Sequence, residues 1–319
     1  MQVDADLSEQ VWFHLGPLRE LLAAADVTEV MINGDQTFVE RRGEITAARV
    51  DIGGDQVRAA LQLLATAQDM SVRAGTDTGL IGAELPGLRL QGVLPPTATK
   101  GPALAIRKHS MVDLSLEDFV SDGVLDRRWA DYLTALVQSG ENLMVAGGTG
   151  SGKTTLLNAL AAQLPAARRV VSIEDVLELK VKVPNWLALK TNAQRGVTSI
   201  RLLETVMRMR PDSILVGELR GGEAATYLEA LNTGHMGCMT TLHANSALLA
   251  LKRLEVLVLR SEVPWPLQAV RAQIGSTIRY VLFVERAGGR RRLQQIIRVD
   301  GFDPESNNYE VTVEFDSSH

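Results

Sequence analysis

Hydrophobic positions in the first hundred residues fall into short runs of two kinds. Residues 27–33, VTEVMIN, and 37–41, TFVER, are β-rich and flank Asn33-Gly34, a pair suited to a tight hairpin turn. Residues 45–50, ITAARV, offer a third strand. Residues 54–68 carry Val57, Leu61 and Leu64 at helical spacing. Residues 16–26 read as another helix, with Pro17 in the first turn, where a missing N–H does no harm. Strand-like pieces follow at 88–96 and 102–108. These elements predict a small α+β domain over residues 1–108.

Residues 109–122, HSMVDLSLEDFVSD, lose the periodicity and gain acidic and hydroxyl side chains, which reads as a linker. A helical stretch near 126–138 follows. Apolar strands then alternate with helices: NLMVAG at 142–147, RVVSIE at 169–174 and SILVGE at 213–218. Short apolar strands separated by helices predict a mainly parallel sheet covered on both faces, over residues 123–319. The tail differs. Residues 280–286, 292–299 and 309–315 read as antiparallel strands, with Gly288-Gly289 between the first two.

Composition narrows the function. A chain of 319 residues, 45% apolar and 22% charged, has room for two ordinary globular domains. A net charge of −5 argues against a dedicated nucleic-acid binder. Arg41-Arg42, Arg127-Arg128, Arg168-Arg169 and Arg290-Arg291-Arg292 are short runs and read as solvated faces. The single cysteine, Cys238, excludes an internal disulfide or a multi-cysteine zinc site. No apolar run approaches the ~20 residues that span a bilayer. The opening MQVDADLSEQ is acidic and polar rather than a secretory signal, so a cytoplasmic protein is expected.

The chemistry concentrates after residue 146. Gly147, Gly152, Lys153 and Thr154 satisfy G-x-x-x-x-G-K-[ST], between a buried strand and a helix bearing Leu156, Leu157, Leu160 and Leu164. Such a P-loop turns tightly on its glycines and aims backbone N–H groups inward. Gly148, Thr149, Gly150, Ser151, Gly152, Lys153, Thr154 and Thr155 are thus the expected phosphate cradle for ATP. Lys153 would neutralise the β/γ-phosphates, and the Thr154 hydroxyl would ligate Mg²⁺.

Hydrolysis also needs an oriented water. The strand SILVGE ends in Glu218, where the carboxyl ends of parallel strands border a ligand crevice, so Glu218 is the first candidate for that work. Its preceding residue is Gly217, not the Asp that commonly holds Mg²⁺ there. Glu174, with Asp175 and Glu178 close behind it, is the second acidic candidate. Two of the five histidines, His235 and His243, stand in TGHMGCMTTLHANSA among Gly, Thr and Asn, a setting that suits sensing a ligand. A zinc site is the competing reading there, with Cys238 alone to complete it.

Four ordered motifs, GGTGSGKTT, SIEDVLEL, RMRPDSILVGELRGGEA and NTGHMGCMTTLHANSA, resemble the Walker A, Asp, Walker B and His boxes of the secretion and conjugation traffic ATPases. VTEVMINGDQTFVERRGEI resembles the N-terminal domain of that superfamily, so the likeness covers essentially the whole chain. Within it, RMRPD, GELRGGEA and NTGH are similar to the type IV secretion and conjugative-transfer branch, which includes TrbB-like proteins. The tight-adherence pilus ATPases are nearly as similar. The resemblance implies a RecA-like C-terminal domain and a homohexameric ring. It implies a place at the cytoplasmic face of the membrane, serving secretion or pilus machinery. It implies that Lys153, Thr154, Glu174, Glu218 and His243 belong to the active site. It also implies that Arg89 and Arg107 reach the nucleotide phosphates from the N-terminal domain, with Arg208, Arg210 and Arg220 as further candidates. Direct nucleic-acid binding stays open. The rival class is a P-loop kinase or a nucleotide-dependent binding switch.

Overall fold

The computed structural model describes residues 5–41, 43–67, 79–108, 114–192, 195–287 and 290–317. They form two compact units, residues 1–111 and 112–319.

The first unit opens with α1 (Ala5–Leu15), a short 3-10 turn over Gly16–Leu18, and α2 (Arg19–Ala23). The helix expected at 16–26 is thus split, and Pro17 falls inside the 3-10 turn. Next come β1 (Val27–Asn33), β2 (Gln36–Arg41), β3 (Glu44–Ala48), α3 (Gly54–Thr66), β4 (Leu80–Leu85), β5 (Leu88–Val93) and β6 (Ala103–Lys108). The strands pair antiparallel in the order β3-β2-β1-β6-β5-β4. Alternate strand residues such as Val30, Ile32, Leu90, Leu104 and Ile106 join Val11, Leu15, Leu61 and Leu64 of the helices in one core.

The second unit holds α4 (Leu116–Ser121), α5 (Arg127–Ser139), β7 (Leu143–Gly147), α6 (Lys153–Ala161), β8 (Arg169–Glu174), β9 (Asn185–Lys190), α7 (Ser199–Val206), β10 (Ser213–Val216), α8 (Glu223–Asn232) and β11 (Met239–His243). It closes with α9 (Ala247–Val258), α10 (Leu267–Thr277), β12 (Tyr280–Ala287), β13 (Arg290–Asp303) and β14 (Asn308–Asp316). One eight-stranded sheet runs β14-β13-β12-β7-β11-β10-β8-β9. β12, β7, β11, β10, β8 and β9 are parallel; β13 and β14 add antiparallel. The second unit is an α/β fold of the RecA type, and the first is a smaller α+β unit.

Period two explains why these strands read as unbroken apolar runs. Met144 and Ala146 of β7 enter one core, with Leu228 of α8 and Leu254 of α9. Leu143 and Val145 enter the other, with Leu133 of α5 and Leu160 of α6. Both faces are therefore dry.

Three expectations change. The linker read at 109–122 contains α4, nucleated by a capping box between Ser115 and Asp118, and Leu116 and Phe119 are buried in the second unit. Residues 109–113 lie outside the described residues. The first tail strand, β12, is not antiparallel to its neighbour β7 but parallel to it. β10 stops at Val216, so Glu218 stands in the loop beyond the strand.

Candidate functional site

β7 delivers the chain to Gly147, and α6 starts at Lys153. Two glycines make the turn between them possible. A Cβ on Gly147 would lie 2.3 Å from the Val284 carbonyl oxygen and 2.5 Å from Ser151 Oγ. Gly152 takes φ +97°, a left-handed conformation that other residues resist, as it caps α6. The first turn of α6 contains no acidic side chain, so its N–H groups and dipole favour an anion. Ser151 Oγ is buried without a hydrogen-bond partner.

Lys153 is only 8% exposed. Its Nζ donates to the Gly148 carbonyl at 2.8 Å and lies 3.2 Å from His243 Nδ1. An ammonium only donates, so Nδ1 accepts and the ring proton sits on Nε2. Nε2 is 2.7 Å from Glu218 Oε1. Burial and the Lys153 charge both lower the His243 pKa from 6.5, in keeping with that neutral tautomer.

The register places these groups together. β7 and β11 are parallel, and His243 pairs with Gly147. The parallel strands end on one edge, where such folds bind ligands. Thr241 Oγ1 donates to the Gly217 carbonyl at 2.7 Å, and the Leu219 N–H donates to the Thr241 carbonyl at 3.0 Å. Those bonds fix the loop that carries Glu218 against β11.

Glu218 is held from the other side by Arg220, whose Nε and Nη2 lie 2.6 Å and 2.5 Å from Oε2. Arg220 Nη1 continues to Asp175 Oδ2 at 3.3 Å, and Asp175 Oδ1 accepts from Thr191 Oγ1 at 2.8 Å. Lys153, His243, Glu218, Arg220 and Asp175 thus form one polar chain along the carboxyl edge of the sheet.

Glu174 ends β8 against the residue before Glu218: a Cβ on Gly217 would lie 3.2 Å from Glu174 Cγ. Glu174 is 4% exposed. Oε1 accepts the N–H groups of Glu178 and Leu179, both at 2.9 Å, while Oε2 is buried without a hydrogen-bond partner. Burial raises its pKa to about 7 against the opposing pull of those two N–H groups. Asn158 of α6 ties the same segment to the loop's helix. Its Nδ2 donates to the Glu178 carbonyl at 2.9 Å, and its Oδ1 accepts from the Lys180 N–H at 2.8 Å. Asn158 escaped sequence reasoning because a polar residue inside a helix carries no signal of its own. The Glu178 side chain is exposed, and its backbone makes these contacts.

Not every candidate joins the cluster. His235 precedes the amino end of β11, whereas the phosphate loop lies at the carboxyl end. His235 Nδ1 is 2.8 Å from the Ala230 carbonyl and 3.0 Å from Thr233 Oγ1, closing the C-terminus of α8. Arg89 and Arg107 belong to the first unit. They pair directly across β5 and β6, both exposed, with Glu84 and Glu29 next to them in register.

Comparison with known proteins matches residues 16–287 to the family model "Type II/IV secretion system protein". The chain is 37% identical over 295 residues to conjugal transfer protein TrbB of Rhizobium radiobacter, covering 90% of this chain and 87% of that one. It is 35% identical over 331 residues to type IV secretion system protein PtlH of Bordetella pertussis, covering 93% and 97%. The crystal structure of the VirB11 ATPase from the Brucella suis type IV secretion system, in complex with sulphate, is 30% identical. That structure superposes with a TM-score of 0.51 over 91% of this chain and 95% of that one.

Proposed function

The chain belongs to the type II/IV secretion system protein family, and from that premise we propose that it is an ATP-hydrolysing motor for type IV secretion or conjugative transfer. The observation that carries this reading is the contact chain from Lys153 through His243 to Glu218, laid against an intact phosphate loop. The residues fit the substrate. Lys153, Ser151 Oγ and the start of α6 face the place where phosphates would lie: Lys153 Nζ donates to the neutral Gly148 carbonyl, and Ser151 Oγ is buried without a hydrogen-bond partner.

Phosphate oxygens would draw Lys153 from the Gly148 carbonyl and from His243 Nδ1. Glu218 is clamped by Arg220 on Oε2, and its Oε1, now 2.7 Å from His243 Nε2, would take up a water beside the γ-phosphate once nucleotide draws Lys153 and His243 apart. His243 stands between lysine and glutamate and so communicates the state of one to the other. Among the described residues no group of three His, Cys, Asp or Glu side chains could hold a metal by itself. Mg²⁺ would rest on Thr154 and the phosphates, with Glu174 as the second acidic candidate, and would supply charge neutralisation for the leaving phosphate.

The wider reading follows the relatives. Six copies would form a ring, as the resemblance to the traffic ATPases implies. Arg89 and Arg107 would pair with phosphate oxygens, so that nucleotide state sets the position of the first unit. Their cross-strand juxtaposition supports this. Two exposed guanidinium groups directly opposite each other can both pair with one phosphate group, with Glu84 and Glu29 as the neighbours they would turn from. No helix among the described residues is long and apolar enough to cross a membrane, which fits a motor that docks on membrane partners. The test is phosphate release and particle size with and without an ATP analogue. Free phosphate as product with a nucleotide-stabilised ring supports the motor; a phosphorylated acceptor or a permanent monomer overturns it.

A further inference from the structure

Thr191 belongs to none of the four motifs, yet it stands at the far end of the contact chain that holds Glu218. It follows β9, the strand at the edge of the sheet, which runs parallel to β8 with Lys190 opposite Glu174. Two bonds fasten it to the end of β8. Its N–H donates to the Glu174 carbonyl at 2.9 Å, and its hydroxyl donates to Asp175 Oδ1 at 2.8 Å. The other Asp175 oxygen, Oδ2, takes Arg220 Nη1 at 3.3 Å.

The main chain of the loop that carries Glu218 is fixed by its own bonds. The Gly217 N–H donates to the Ile173 carbonyl at 2.9 Å, and the Leu219 N–H to the Thr241 carbonyl at 3.0 Å. The carboxylate hangs from that loop on rotatable bonds. Arg220 grips its Oε2, but Arg220 is carried by the same loop, two residues on, and its side chain is half exposed. Two long side chains rooted on one loop can swing together. Asp175 and Thr191 are rooted elsewhere, just past β8 and β9, and they tie the guanidinium to the sheet. A planar guanidinium with two N–H groups on Glu218 and a third on Asp175 is bound on two edges, which fixes its plane.

We propose that Thr191 and Asp175 are positioning residues for hydrolysis: through Arg220 they keep Glu218 Oε2 on the guanidinium and Oε1 turned toward His243 and the phosphate loop. They touch no reacting atom. This rests on the reading of Glu218 as the group that orients the water. A half-exposed ion pair contributes little to folding, because water screens it. The worth of this one is geometric, since a displacement of about 1 Å at a reacting centre can cost on the order of a hundred-fold in rate.

Steady-state phosphate release by the full-length protein tests this with Thr191→Val, Thr191→Ser, Asp175→Asn and Glu218→Gln. Thr191→Val keeps the shape and removes the hydroxyl. It should lower kcat about five- to twenty-fold and leave the KM for ATP within about two-fold, since no contact to nucleotide is lost. Asp175→Asn takes the second charge from Arg220 and should lower kcat at least as much. Thr191→Ser restores the hydroxyl and should recover most of the rate. Introduced into Glu218→Gln, Thr191→Val should cost less than about two-fold more, because the carboxylate it positions is gone. A merely structural role would not depend on Glu218 in this way. A full further loss in the Glu218→Gln background overturns the proposal. So does a raised KM with kcat unchanged, or parent rates in both Thr191→Val and Asp175→Asn. Failure of the parent reading looks different: Glu218→Gln itself would hydrolyse at the parent rate. Thermal melts within about 3 °C of the parent identify a loss that belongs to the site. Should Thr191→Val melt lower than that, Asp175→Asn, at an exposed position, decides the question in its place.

Discussion

One histidine ends β11 and another precedes it by four residues, and the two do different things. His243, at the carboxyl end, lies between Lys153 and Glu218. His235, before the amino end, closes α8 through the Ala230 carbonyl. The five residues of β11 span about 16 Å between them. Eight positions of sequence therefore separate a group on the ligand edge from one on the opposite edge. Which end of a parallel strand a residue occupies decides its chemistry more than its neighbours in the chain do.

The largest effect should come at the ligand edge. Lys153→Ala should lower steady-state phosphate release by at least about a thousand-fold, since it removes the one buried cation of the loop. Glu218→Gln should lower it about a hundred- to a thousand-fold while equilibrium dialysis finds nucleotide affinity within three-fold of the parent. A Glu218→Gln protein that hydrolyses at the parent rate would remove Glu218 from the mechanism.

His243→Gln should cost about ten- to a hundred-fold in kcat. It should also change the acid limb of the pH profile. The folded-state pKa is depressed, so the imidazole is neutral at pH 7 and protonates only below 6.5. Protonation puts a cation against Lys153 and breaks their contact, so activity falls on that side. In His243→Gln this fall should disappear; an unchanged acid limb assigns it to another group.

Glu174 offers a stability test. Its folded-state pKa of about 7 lies above the ordinary 4.5. The contribution is thus fully present below pH 4.5 and lost as pH rises through 7. Nucleotide-free protein should lose on the order of 3 kcal/mol of unfolding free energy from this group across that window. Denaturant titrations at pH 5 and pH 8 should differ less for Glu174→Gln by about that amount. The smallest effect belongs to the far end of β11. His235→Ala should leave hydrolysis within two-fold and lower stability by about 1 kcal/mol, the worth of one hydrogen bond at a helix end. A hydrolytic loss matching that of His243→Gln would erase the distinction between the two ends.

Much of the molecule is readable from residue order. β1, β7 and β8 announce themselves as apolar runs, and the phosphate loop as a spacing. β11 does not, because Thr240 and Thr241 sit buried inside it while Gly237 and His243 bracket it. Its hydroxyls look like loop chemistry until a partner is known: Thr241 spends its hydroxyl on the Gly217 carbonyl. α4 hides in the same way, since Ser115, Glu117 and Asp118 cap and solvate a helix whose only buried face is Leu116 and Phe119. The contacts at the candidate site were less legible still. Motif order implies which side chains gather, but not that Arg220 clamps Glu218, nor that Asn158 ties the Glu178 segment to α6. Those depend on the register of parallel strands far apart in sequence.

The resting position of Lys153 has one more consequence. Its ammonium rests on a backbone carbonyl and an imidazole, both neutral acceptors, so its charge is kept while its hydrogen bonds are lent out. A ligand that brings several anionic oxygens at once can replace both acceptors in one step, so a polyphosphate gains more from this arrangement than a single small anion does.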